Sequence, residues 1–235
     1  MAHRIRHISD RFYRLIPSRF PPVDLYERFG SPALVAGAQR LEGITNPRLA
    51  SRQRIMTGPQ AGTVNPNRLQ NWNHAPFAYR NPEGTYWLDP AYGALDLAAD
   101  EETALAIAVQ RREQFLRRTS EPAIDLDMRL LITPVEGDFV DFEEDEPAVE
   151  EIERRRLGRV LYEEGVSGIL HRRSGLCNAR FLSVFKGRVL GASVQATHYR
   201  FVWDGSSIRS VYDFGSEQKS TPDSILAAVA QRWAA

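Results

Sequence analysis

The chain has 235 residues, enough to bury a sizeable core without disulfide or metal staples. Its 43% hydrophobic and 26% charged residues are those of an ordinary globular protein, and 30 basic against 30 acidic side chains leave no global field to attract nucleic acid or an anionic membrane. The single cysteine, Cys177, excludes an internal disulfide and fits a reducing compartment. No apolar run approaches the roughly 18–20 residues that span a bilayer. The start, MAHRIRHISDRFYRL, lacks the apolar stretch and cleavage site of a secretory signal, so the expected location is cytoplasmic.

In chain order, Phe12 to Pro17 (FYRLIP) alternates like a short strand. Helices are predicted from about Asp24 and over Pro32 to Leu41, with Asn46-Pro47 as the turn after them. Gly, Pro and Asn are so dense from Gln53 to Asn81 that loops are expected throughout. Ala91 to Ala98 reads as a strand. Asp100 is placed to cap a helix whose inner face is Ala104, Leu105, Ala108, Val109, Arg112, Phe115 and Leu116. Met128 to Val135 is a strand. The acidic run Glu136 to Glu153 reads as a solvated loop or helix start, in contrast to an Arg-rich first fifty residues. Glu150 to Glu164 is a helix with Ile152, Leu157, Val160 and Leu161 inward. Strands follow at Val166 to Leu170, Phe181 to Phe185, His198 to Trp203 and from Ile208, and Pro222 opens a last helix through Trp233. Without regular βαβ alternation, the fold class is α+β with a mostly antiparallel β core. One domain is expected over 1–235, with 1–70 as a helical and loop extension packed on the core.

Few residues announce chemistry. His74, beside Trp72 and Asn73, lacks the spacing of a metal site, and no metal is expected. Cys177 lies six residues from His171 and reads as a small buried thiol. No phosphate-cradling glycine loop is present. Tyr79, Tyr86, Trp87 and Tyr92 suit either a core or a platform for a base.

The ordered set FYRLIPSRFPPVDLYERF, NPRL, NPEG, ETA, RREQFL, GVSGIL, FLSVF and WDG resembles the RES-domain family. That resemblance implies an ADP-ribosyltransferase-like, diphtheria-toxin-like fold and kinship with toxins of bacterial toxin–antitoxin pairs, whose partner is an Xre-like antitoxin. The family attacks NAD, degrading it with phosphate or transferring ADP-ribose. Chemically, an arginine neutralises the pyrophosphate and a carboxylate steadies the oxocarbenium-like centre as nicotinamide leaves.

Laid on the family pattern without a gap, Tyr86 stands in the arginine's slot, Asp96 in that of the second tyrosine, Ile107 in the glutamate's and Arg173 in the serine's. Ser174 is one residue away. Isoleucine neither donates, accepts nor carries charge, so the resemblance implies a degenerate member acting by binding a protein partner or a nucleotide, with NAD a candidate ligand or substrate. Candidate nucleotide-binding residues are Arg80, Tyr86, Tyr92, Asp96, Arg173 and Ser174. Asp96 is either a buried carboxylate with a raised pKa or the partner of Arg173 across the pocket. The expected partners are an Xre-like antitoxin, an active RES protein or a second copy in a homodimer. The alternative is a divergent NAD-consuming or ADP-ribosylating toxin that relocates its catalysis to Arg80, Asp96 and Ser174.

Overall fold

The computed structural model describes residues 3–18, 71–78, 81–144 and 150–234. The helices predicted from Asp24 and over Pro32 to Leu41 fall outside these residues, as does Arg80. The elements run β1 (Ile5–Pro17), α1 (Asn71–Ala78), β2 (Leu95–Ala98), α2 (Glu101–Thr119), β3 (Ile124–Phe142), α3 (Glu151–Glu163), β4 (Gly168–Arg173), β5 (Ala179–Val184), β6 (Val194–Trp203), β7 (Ile208–Asp213), β8 (Gln218–Ser220) and α4 (Pro222–Trp233).

The strands form one sheet in the order β1-β2-β5-β4-β3-β6-β7-β8. Because β1 also pairs with β3, the first five strands close into a ring, and β6 to β8 extend from β3 as a wing. Every pairing is antiparallel except β3 with β4. This is the expected α+β class with a mostly antiparallel sheet. Closure leaves three apolar clusters. Ile8, Phe12, Leu97, Phe139, Leu170 and Leu182 fill the ring. Met128, Leu130, Phe181, Phe201 and Trp203 pack under α2 and α4. Trp87, Leu88, Ile169, Leu161 and Phe185 lie between the sheet and α3.

Alternation along β2, β4 and β5 sends Leu97, Leu170 and Leu182 into the ring and Asp96, His171, Arg173 and Ser183 outward, into the seam between the other two clusters. Asp100 caps α2 as expected. Its Oδ1 accepts from the Thr103 backbone N–H at 2.7 Å and its Oδ2 from the Thr103 hydroxyl at 2.9 Å.

Several expectations are corrected. Asn71–Ala78 is a helix and not a loop, despite Pro76 within it. Tertiary contacts override its poor propensity: Phe77 is buried with the ring interior, Asn73 Nδ2 donates to the Gly191 carbonyl, and Asn73 Oδ1 accepts from Ser193. The acidic run is not a solvated loop at its start, since residues 136–142 continue β3. Asp141 and Glu143 are buried there and ion-paired, Asp141 with Arg4 and Arg6, and Glu143 with Arg6, Arg172 and Arg180. The Arg-rich start of the chain and the acidic run thus neutralise each other across β1 and β3.

On α3, Ile152 is 77% and Val160 42% exposed, because the helix docks by Leu161 and by Gly158. A Cβ at Gly158 would stand 2.0 Å from the Trp87 carbonyl oxygen. Phe115 is 54% exposed, as α2 buries only Leu116 beyond Val109. Cys177 is exposed on the β4–β5 turn, in the left-handed region at φ 54°, and not a buried thiol.

Candidate functional site

Tyr86, Asp96, Ile107 and Arg173 come from a loop, two strands and a helix, and they meet. Arg173 NH2 donates to Asp96 Oδ2 at 2.8 Å, with only 8% and 5% of the two side chains exposed. The Arg173 guanidinium carbon lies 4.4 Å from the centre of the Tyr86 ring and 4.2 Å from that of Phe181. Asp96 and Ile107 share a cavity of about 50 Å³ with Tyr13, Arg14 and Arg111. Of the two open readings of Asp96, the structure shows the ion pair with Arg173.

The same carboxylate serves further partners. Arg111 NH2 lies 3.1 Å from Asp96 Oδ2, and the Ser183 hydroxyl donates to Asp96 Oδ1 at 2.7 Å. That hydroxyl gives its one proton to the carboxylate, so toward His171 Nε2, 3.1 Å away, it acts as acceptor, while His171 Nδ1 lies 3.3 Å from the Arg172 carbonyl oxygen. An aspartate, a serine and a histidine therefore stand in a row, but the serine is in the middle, fully buried and already donating. It is a strut, not an activated nucleophile.

Charge in this seam is set by competing terms. Burial alone pushes the Asp96 pKa up, but Arg173, Arg111 and the Ser183 hydroxyl outweigh it and hold the carboxyl well below its usual range. The raised pKa considered from sequence is thereby corrected. Burial pushes the Arg173 guanidinium down, opposed by Asp96. Burial beside Arg111 lowers Arg14 to about 10, so it stays cationic at pH 7. Burial, then Arg173, lowers His171 to about 3, so the imidazole is neutral.

Tyr86 is built into this cluster. Its ring stacks on His171 with centroids 4.9 Å apart and planes 5° from parallel. The Arg154 guanidinium lies 3.9 Å from the ring centre, while Arg154 Nε donates to the Tyr86 carbonyl at 2.9 Å. Trp87 beside it is fully buried. Drug-sized ligands take pockets of about 300–1,000 Å³, so the described residues leave no room for a dinucleotide at Asp96 and Ile107.

The remaining candidates do not join the cluster. Tyr92 faces α3, its hydroxyl donating to Glu163 at 3.1 Å and its ring edge-on to Tyr162. Ser174 is exposed, and among the described residues no hydrogen bond joins it to Asp96. Among those residues no group of three His, Cys, Asp or Glu could share a metal ion, and no helix is long and apolar enough to cross a membrane. Sequence reasoning missed Arg14, Arg111, Arg154 and Ser183. Two signals were present: Arg111 follows Ile107 by one helical turn, and Ser183 is the cross-strand partner of Asp96.

Comparison with known proteins places the scaffold. Protein y4oC of Sinorhizobium fredii (strain NBRC 101917 / NGR234) is 47% identical over 210 residues, covering 88% of this chain and 89% of that one. Among solved structures, a chain of the M. tuberculosis MbcT–MbcA toxin–antitoxin complex aligns over 97% of this chain and 92% of its own, with 12% identity and a TM-score of 0.45. Kinship therefore rests on sequence. The RES-domain model matches residues 65–204, more than half of the chain and the whole stretch from Tyr86 to Arg173 that builds the cluster, so the chain belongs to the RES-domain family.

Proposed function

We propose that this protein is a RES-domain member of toxin–antitoxin type that has lost catalysis and acts by binding. One observation carries the reading. The side chains in the family's reactive slots satisfy one another, as Arg173 holds Asp96, Tyr86 packs on Arg173 and His171, and Ile107 offers no charge. A group locked in a buried ion pair is not available to polarise a substrate, and nothing at position 107 replaces the missing carboxylate. The binding partner in this reading is a protein, an Xre-like antitoxin or another RES protein.

A specific feature supports a nucleotide as a second ligand class. Arg111 and Arg173 share the single carboxylate of Asp96 beside the small cavity, which Arg14 also lines. In that reading a phosphate takes the place that substrate pyrophosphate takes in active relatives, after Tyr86 has moved.

The test is incubation of the purified chain with NAD, with and without inorganic phosphate, following nicotinamide release. No release above buffer is expected. Turnover abolished by Arg173→Ala would overturn the reading in favour of a relocated active site. Thermal shift with ADP-ribose reads the second ligand class separately, because a ligand that binds only the folded state raises apparent stability as its concentration rises. Co-expression with an Xre-like protein encoded beside this chain, followed by size-exclusion chromatography, tests the protein partner.

A further inference from the structure

A second cavity, of about 330 Å³, opens where the first turn of α2 meets β6 to β8 and α4, apart from the Asp96 seam. Its size is at the lower end of the range for small-ligand sites. The floor is apolar, with Leu105, Val211 and Ile225. The rim carries Glu101, Glu102 and Asp213, and among the described residues no Lys, Arg or His lines it. Each carboxylate is held by a neighbour. The Tyr199 hydroxyl donates to Glu101, the Gly215 backbone N–H and the Ser216 hydroxyl donate to Asp213 at 2.7 and 2.8 Å, and Arg232 donates to Glu102 at 3.0 Å. Arg232 offsets Glu102, whereas no described basic residue of the lining pairs with Glu101 or Asp213. The acids are too dispersed to share one metal ion, since no such group occurs among the described residues.

We infer that this cavity binds an organic cation, an alkylammonium or guanidinium whose short apolar stem rests on Leu105, Val211 and Ile225. An apolar floor contributes burial, and carboxylates at the rim pair with the charge while it stays near water, where such a pair costs little to desolvate. The cation has two sources, a free small amine or a Lys or Arg side chain of a bound protein. This site shares no residue with the family's reactive slots and does not depend on the loss of catalysis.

The experiment is calorimetric titration and thermal shift of the full chain with n-butylamine and agmatine, and with N-acetyl-arginine-N-methylamide as the side-chain mimic. n-Butanol and the citrulline analogue serve as neutral isosteres. Binding of the cations is expected, with the neutral compounds weaker by about tenfold or more. Glu101→Gln combined with Asp213→Asn is expected to weaken the cations by a similar factor without changing the neutral compounds. Tighter binding of the free amines identifies a small-molecule site, and tighter binding of the blocked arginine identifies a partner's side chain. Equal binding of cation and isostere by the unaltered chain overturns the inference even if the double variant fails to fold. So does the absence of binding at about 10 mM of every cation.

Discussion

The Asp96–Arg173 pair makes the sharpest prediction because its partners are few and its burial is nearly complete. Asp96→Ala leaves the Arg173 guanidinium 8% exposed with no carboxylate, and its Nε already makes no hydrogen bond. Stranding one member of a buried pair costs about 3–5 kcal/mol, a large share of the roughly 5–15 kcal/mol that keeps a domain folded. Replacing both members by apolar groups of similar size, Asp96→Leu with Arg173→Met, removes the pair together with its desolvation cost but leaves the Ser183 hydroxyl and Arg111 without their acceptor. The double variant should then lie about 1–3 kcal/mol below the unaltered chain. Urea unfolding of the two single variants and the double reads this as a coupling of at least about 2 kcal/mol in a double-mutant cycle. At a slope of about 1–3 kcal/mol per molar urea, the Asp96→Ala midpoint falls by about 1–5 M. An Asp96→Ala loss below about 1 kcal/mol, or strictly additive variants, would refute the claim that these groups lock each other.

Further outcomes follow from this seam and from the packing around it. His171 is neutral when folded, with its pKa lowered to about 3, whereas the unfolded imidazole titrates near 6.5. Stability is thus fully present above about pH 6.5 and is lost as pH falls toward 3, at about 1.4 kcal/mol per unit, or about 2 kcal/mol by pH 5. His171→Gln should flatten that slope in pH-dependent urea melts, and an unchanged slope would assign it elsewhere. The Asp96 carboxyl, held low, contributes fully above its unfolded value near 3.9 and gives no slope between pH 5 and 8. Gly158→Ala forces a Cβ to 2.0 Å from the Trp87 carbonyl and should cost at least about 1–3 kcal/mol, measured as a lower melting temperature. Ile107→Glu should be tolerated within about 1 kcal/mol, since position 107 lines a cavity with Arg14 and Arg111 and forms an i,i+4 pair with Arg111, whereas Leu105→Glu should unfold the chain.

Helices α2 to α4 and most of the wing, β6 and β7, were legible because periodicity is a local signal. Asp100 and Pro222 mark the starts of α2 and α4, and HYRFVW alternates as β6 does. What was not legible depends on closure of the ring. The length of β3, 19 residues, hides in a stretch whose acids read as loop, because distant arginines, Arg4, Arg6, Arg172 and Arg180, make Asp141 and Glu143 tolerable inside. Likewise α3 docks through Gly158, a residue that hydrophobic counting ignores, while its greasiest positions, Ile152 and Val160, face away. The helix Asn71–Ala78 has almost no local support and is held by Phe77, Asn73 and the close approach of Gly93 to Phe77.

For the site, a one-dimensional register selected four positions separated by up to 87 residues, counting from Tyr86 to Arg173. Folding sets Arg173 2.8 Å from Asp96 and 4.4 Å from the centre of the Tyr86 ring, and Asp96 and Ile107 line one small cavity. Geometry adds what a register lacks, namely what compensates each side chain. Tyr86 is enclosed by Arg154, Arg173 and His171, so positive charge reaches its ring from a strand and from a helix. Arg173 would be insupportable alone in its burial, and Asp96 neutralises it. The side chains at 96 and 173 therefore form a unit, since each requires the other. Ligand access to either group requires breaking that pair, at the cost that the Asp96→Ala measurement would report.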